Sequence, residues 1–287
     1  MKSNIPLVTI AIPTYNRASL LARSISSAQQ QTYQNVEIVI SDNGSSDDTE
    51  SLCRDLAAQD SRIRYLRQIK QISGAENFNS LLSQAGGAYF MWLGDDDWID
   101  VNYVESCLSS LLKDSSLAFV SGHPLYYKAS VRQYIGRIFD VVHKSAKHRI
   151  VSYLFRVTDN GVFYGLFRRE SIQGLQLSEK LAGDWYFLCD VLISGGFRMI
   201  ADTHVHRELG GASESYEKLT KLYRLPSAAR LIPSYYAAQA FRQHMVESPR
   251  FSSLRMRGVW SAWMTLIILA RPLTNIPYRL KRKLQII

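Results

Sequence analysis

What most constrains this chain is a rhythm in its first hundred residues. Four short apolar runs end in, or run close to, polar turns and are separated by stretches of helical period. Leu7–Ile12 reads as a buried strand stopped by Pro13, Val36–Ile40 as a second, Ile63–Leu66 as a third, and Tyr89–Leu93 as a fourth that runs into Gly94. Between them, Ala18–Gln30 puts Leu20, Leu21, Ile25 and Ala28 on one helical face. A second helix follows Asp48, with a capping box expected of Asp47 and Glu50. Gly74–Gln84 is a third helix, ended by Gly86 and Gly87. Repeated strand–helix units imply a mostly parallel sheet covered by helices, with ligands at the carboxyl ends of its strands.

The middle of the chain is less regular. Ala118–Ser121, Val162–Arg168 and Phe197–Ala201 read as strands and Trp185–Ser194 as a helix. From Tyr216 onward only helices are expected, interrupted by prolines. The expected organisation is an α/β catalytic domain over residues 1–214, in which 1–110 bind the ligand and 111–214 meet the acceptor. A helical region over 215–287 follows.

Charge narrows the partners. The net charge is +9, yet nine Lys/Arg and one Glu fall between Arg242 and Ile287, leaving the other 241 residues near +1. A cationic tail on a nearly neutral body suits a local anionic partner and argues against a broad nucleic-acid surface. In that tail Trp260, Trp263, Leu266, Ile267 and Ala270 recur at roughly helical spacing between basic flanks, a pattern suited to a helix lying in a membrane interface. The same pattern also fits a helix packed on the body. The apolar stretch Val259–Ala270 is too short to span a bilayer, which takes about 20 residues. The start of the chain carries no apolar leader, and Cys53, Cys107 and Cys189 are widely spaced. Reduced, buried thiols and a cytoplasmic, membrane-peripheral location are expected.

Three polar clusters carry the chemistry. Asp95-Asp96-Asp97 are adjacent carboxylates that repel one another unless a cation or donors offset the charge. Directly after a buried strand, they suit a hard divalent ion, magnesium or manganese, shared with substrate phosphates. Asp42 ends the second strand, placed to accept a hydrogen bond from a base N–H. Pro13-Thr14-Tyr15-Asn16-Arg17 offers backbone N–H groups, a ring and a cation for a nucleoside and its phosphates. Each cluster alone also reads as a turn or a helix cap.

Together, Ile12-Pro13-Thr14-Tyr15-Asn16-Arg17, then Ser41 to Thr49, then Leu93-Gly94-Asp95-Asp96-Asp97-Trp98 resemble the successive signatures of the family-two glycosyltransferases of GT-A fold. The resemblance implies a nucleotide-diphosphate sugar donor, a divalent cation and inversion at the anomeric carbon. By position, Pro13, Thr14, Tyr15, Arg17 and Asp42 would line the nucleoside pocket. Asp95 and Asp96 would lie near the ribose and sugar phosphate, and Asp97, with Asp95 a second candidate, would hold the metal. The family often has a further Asp where Gly94 stands. It commonly has Glu-Asp where this chain has Gly183-Asp184.

Inverting transfer needs a carboxylate to take the acceptor hydroxyl's proton. Asp184 is the candidate base and Asp190 the second; the alternative is that Asp184 caps the helix. His204 and His206, two apart on a strand, face one side. The family's Arg-x-His pattern is broken after Arg207. Gly210 to Ser213 reads as a loop able to close over the donor. The expected activity is sugar transfer to a lipid-linked glycan in bacterial surface-polysaccharide synthesis, such as O-antigen or capsule. The alternatives are an inactive sugar-nucleotide-binding protein of the same fold and a nucleotidyltransferase. Thr14 to Arg17 lack the Gly-rich loop expected of the latter.

Overall fold

The computed structural model describes residues 5–210, 220–230, 232–254, 262 and 264–269. A single curled sheet runs in the order β3-β2-β1-β4-β8-β6-β9-β5, with β7 paired to β6. β1 (Val8–Thr14), β2 (Val36–Asp42), β3 (Ile63–Arg67) and β4 (Tyr89–Trp92) form its parallel half. β8 (Leu166–Arg168) runs antiparallel between β4 and β6 (Leu117–Lys128), and β6 pairs in parallel with β9 (Gly196–Glu208). The carboxyl end of β9 therefore reaches the same edge as those of β1, β2 and β4. β5 (Trp98–Ile99) crosses there antiparallel to β9.

Alternation along the strands divides the core. Ile10, Ile12, Ile38, Ile40, Met91 and Leu93 face one cluster, with α1 (Ala18–Gln29), α2 (Thr49–Gln59) and α4 (Tyr103–Lys113). Ala11, Val39, Phe90 and Trp92 face the other, with α3 (Gly74–Gln84), α5 (Ala146–Arg156), the short α6 (Arg169–Ile172) and α7 (Gly183–Ser194). α7 is apolar nearly all round and correspondingly buried. The later helix Pro233–Glu247 contributes Ala238 and Phe241 to this second core. Met264, Ile267 and Ile268 are buried in it too.

Several local expectations are corrected. β1 passes through Pro13 to Thr14. Leu7 and Ala11 accept from Tyr89 and Leu93, so odd-numbered residues bond toward β4. Pro13 lies beyond the last β1–β4 pair, where its missing N–H has no partner to lose. The Asp47–Glu50 capping box does not form. Asp47 accepts from Thr49 and Ala18, and Glu50 pairs with Arg54 and Arg67. A capping box does occur at α3, between Ser73 and Glu76. The strand expected over Val162–Arg168 is a 3-10 turn, Gly161–Tyr164, followed by β8, because Gly165 packs against Val120 and breaks the run. β6 and β9 are far longer than their apolar cores. Their pairing carries on past Gly122 and Pro124 through a register shift. All three cysteines are free and buried.

Candidate active site

The site lies along the shared carboxyl edge. After β1, Thr14 donates to Asp95 (2.9 Å) and Arg17 pairs with Asp96 (2.7 Å). Asn16, at φ 50°, donates its N–H to Ser45 and accepts from Ser46 N–H, which ties this turn to the loop after β2. Tyr15 is 42% exposed at the rim. Asp42 sits at the end of β2 as expected, but it does not face open space. It is fully buried, and its oxygens accept from Ser45 N–H (2.8 Å), the Tyr65 hydroxyl (2.6 Å) and Arg67 (2.9 Å).

The three consecutive aspartates diverge. Asp97, expected on the metal, turns inward and is fully buried. Its Oδ1 accepts from Glu208 N–H (2.9 Å), and Arg207 Nε lies 2.6 Å from its Oδ2. That N–H is not aligned with the oxygen, so the contact is Coulombic rather than a good hydrogen bond. Burial pushes the Asp97 carboxyl up, and Arg207 opposes the shift. The physical reason for this placement is that the end of β9 supplies a cation, Arg207, 110 positions away in sequence, and the Glu208 N–H beside it. Asp95 and Asp96 stay half-buried, turned toward Thr14 and Arg17. Burial, then repulsion from Asp96, pushes the Asp95 carboxyl up to about 6.

These residues fit a divalent ion in a limited way. Among the described residues no three His, Cys, Asp or Glu side chains converge as a cation site. Two half-buried carboxylates remain, which suits an ion that takes its other ligands from phosphates and water. A cation there would also offset the cost of holding Asp95 charged beside Asp96.

Across the cleft, Asp184 lies in the first turn of α7 and keeps part of its surface open. The helix N-cap is Ala182, so Asp184 is not the cap residue. Asn160 donates to its Oδ2 at 2.7 Å. Burial raises its pKa above the ordinary carboxylate value, and Asn160 and Arg207 oppose the rise. Aromatic contacts fix this position relative to the aspartates. Trp92 of β4 stacks on Phe163 (4.8 Å) and meets Phe187 of α7 edge-on (5.2 Å), and each such pair contributes about 0.5–1.5 kcal/mol beyond area burial. The Arg207 guanidinium lies 4.0 Å over the Tyr164 ring, in the field of Asp96, Asp97 and Asp184. Asp190, the second candidate base, is buried away from the cleft and bonds His244 and Ser248.

Two departures from the family pattern have steric causes. A Cβ on Gly94 would sit 2.5 Å from Asp97 Oδ2, so glycine makes room for the inward turn. A Cβ on Gly183 would sit 2.1 Å from the Ser178 carbonyl oxygen, so the Glu common in the family cannot fit beneath this loop.

His204 and His206 do share a side of β9, and both meet Asp100 at 2.7 Å, locking β5 to β9. Trp98 is sandwiched between His206 (4.9 Å, parallel) and Arg23 (3.7 Å to the ring centre). Nothing in the sequence groups Arg207, Asn160, Tyr164, Asp100 and Arg23 into one site. Each is an ordinary polar or aromatic residue in its own segment, and only the strand order brings them together. The loop Gly211 to Ser213, Trp260, Trp263, Ala270 and the basic residues 255, 257, 271, 279 and 281–283 lie outside the described residues. Of the apolar tail stripe, Ile267 is buried in the core and Leu266 is exposed.

A family model described as glycosyl transferase family 2 matches residues 9–175. The chain is 29% identical over 184 residues to a GalNAc(5)-diNAcBac-PP-undecaprenol beta-1,3-glucosyltransferase of Campylobacter jejuni, covering 62% of this chain and 57% of that protein. It is 24% identical over 224 residues to glycosyltransferase GlyG of Streptococcus pneumoniae, covering 77% and 66%. The chain thus spans less than two thirds of the length of these relatives. In fold it resembles S. aureus TarS 1-349, solved with UDP-GlcNAc, at TM-score 0.58 and 13% identity over 95% of this chain and 82% of that one. It also resembles a mannosyltransferase of Pyrobaculum calidifontis, solved with GDP-Man and Mn2+, at TM-score 0.55 and 16% identity, covering 99% and 79%. Such neighbours show a GT-A fold.

Proposed function

This chain belongs to glycosyl transferase family 2, and from that premise we propose that it moves a sugar from a nucleotide-diphosphate sugar to a hydroxyl of a lipid-linked glycan, with inversion, in the synthesis of a bacterial surface polysaccharide. The observation that carries the reading is one shared charged neighbourhood. The buried Arg207 guanidinium lies in electrostatic reach of both Asp96 and Asp184, and Asp95 stands next to Asp96 against the Thr14–Arg17 turn.

In this reading Thr14, Tyr15 and Arg17 hold the nucleotide, with Pro13 and Asp42 shaping the floor behind them. Arg17 and the N-terminal turn of α1 face the diphosphate. Asp95 and Asp96 would hold a divalent ion, magnesium or manganese, which would supply positive charge to offset that of the departing diphosphate. Asp184 accepts the proton of the acceptor hydroxyl as that oxygen attacks the anomeric carbon from the face opposite the diphosphate. Its raised pKa makes it a stronger base than an exposed carboxylate, and Asn160 orients it. Residues 1–214 form the catalytic part. The basic region 215–287 holds the enzyme at the inner face of the membrane, where lipid-linked acceptors are met.

Support for the acceptor class comes from the Campylobacter relative, whose name specifies an undecaprenol-linked substrate. Support for a metal comes from the archaeal neighbour solved with Mn2+. The test is a thermal-shift screen of nucleotide-diphosphate sugars with Mn2+ or Mg2+, followed by transfer assays on lipid-linked glycans. A bound donor raises Tm by mass action, by an amount that grows with donor concentration. If no sugar nucleotide shifts Tm with either metal and none is turned over, the reading is overturned.

A further inference from the structure

The edge strand β7 (Val131–Ile135) and the segment after it are decorated in a way that catalysis does not account for. Among the described residues β7 pairs only with β6, through a two-residue turn at Ala129 and Ser130 whose φ angles are 49° and 64°. Val131 (63%), Ile135 (46%), Ile138 (48%) and Val142 (52%) are all exposed within twelve residues. Exposed aliphatics on an edge strand are an aggregation hazard unless something covers them. Residues 128–144 also hold four Lys or Arg against the single acid Asp140, and Lys128, Arg132, Arg137 and Lys144 are exposed. Asp140 is partly engaged, accepting from Met199 N–H.

We propose that this hairpin and the segment to residue 144 form a docking surface for an anionic lipid bilayer. Aliphatic side chains interleaved with cations match the acyl boundary and the headgroups together. A second copy of the chain is a poorer match, because it would set two cationic segments against each other. The position has a consequence for the site. Tyr127 pairs in register with Glu208 and accepts from Leu209 N–H, so the hairpin springs from the strand pair that holds Arg207 beside Asp97. A bilayer docked there lies at the rim of the cleft, on the side of the acceptor part. The inference goes beyond the transferase reading, and vesicle binding needs neither donor nor acceptor.

The test uses the full chain and vesicles of phosphatidylcholine with or without phosphatidylglycerol. Removing two charges with Arg132→Ser and Arg137→Ser should weaken binding to anionic vesicles about thirtyfold, at unchanged Tm. Val131→Ser with Ile138→Ser should weaken it further and leave residual salt-sensitive attachment. Because the basic tail could bind lipid by itself, a local probe decides. An environment-sensitive fluorophore on Val131→Cys should shift to the blue with anionic vesicles and not with neutral ones. An unchanged spectrum while the chain co-sediments with vesicles overturns the proposal. So does a dimer in sedimentation analysis that the Val131→Ser, Ile138→Ser variant abolishes while vesicle binding stays intact.

Discussion

Arg207 and Asp97 form a buried ion pair, Nε to Oδ2 at 2.6 Å, that joins the end of β9 to the turn after β4. It turns one carboxylate of an acidic triplet into part of the scaffold and leaves the other two facing the cleft.

Breaking that pair should cost stability. Arg207→Ala leaves the Asp97 carboxylate buried without its cation, a loss of about 3–5 kcal/mol. With its pKa already pushed up by burial, the folded state then holds the Asp97 proton more tightly than the unfolded chain does. Stability must therefore fall as pH rises between the unfolded and folded values. Melting curves should show a larger drop in Tm at pH 8 than at pH 5, and equal drops at both would remove the assignment.

The metal should depend on the two half-buried aspartates, Asp95 and Asp96. Asp96→Asn should abolish most of the gain in donor affinity that Mn2+ confers, measured by calorimetry with and without chelator. Asp97→Asn should lower Tm yet retain a metal-dependent gain. Since Asp95 is pushed up to about 6, protons compete for it, and metal-dependent affinity should decline as pH drops below about 6. A metal effect lost with Asp97 and kept without Asp96 would reverse these roles.

Asp184→Asn is nearly isosteric and cannot take a proton. Donor Kd and Tm should stay near those of the parent while kcat falls by on the order of 10² to 10⁴. In the parent, activity should decline on the acid side at a pH above the ordinary carboxylate value, because the raised pKa leaves the base protonated sooner as pH falls. A variant that turns over at the parental rate would mean the base lies elsewhere.

Adding a side chain at the two glycines that depart from the family pattern should harm this chain. Gly183→Ala meets the Ser178 carbonyl and Gly94→Ala meets Asp97, each costing on the order of 1–3 kcal/mol. Gly183→Glu should lose activity along with Tm. A gain in turnover at unchanged Tm would contradict the packing argument.

Much of the first half was legible because its signals are local. Apolar runs, helical faces and glycine stops fixed β1 to β4, α1 and α3 to within a residue or two. The acidic, Thr14–Arg17 and Asp42 clusters fell at strand ends as the α/β rule requires. Less legible were β6 and β9, whose pairing carries on past Gly122 and Pro124 through a register shift that skips Asp202, three residues that do not read as strand. α5 likewise takes its place from tertiary contacts, its Arg149 donating to the Leu192 and Ile193 carbonyls at the end of α7.

The sequence by itself determined which groups are available at the carboxyl edge of the sheet, because periodicity and turn chemistry act over a few residues. Only the tertiary structure decided what each carboxylate does. Asp97 and Arg207 are 110 positions apart, and Asp184 is 24 from Asn160. Whether an aspartate meets a cation, an amide or open space is set by strand order and by burial, which change its charge cost far more than its neighbours in sequence do.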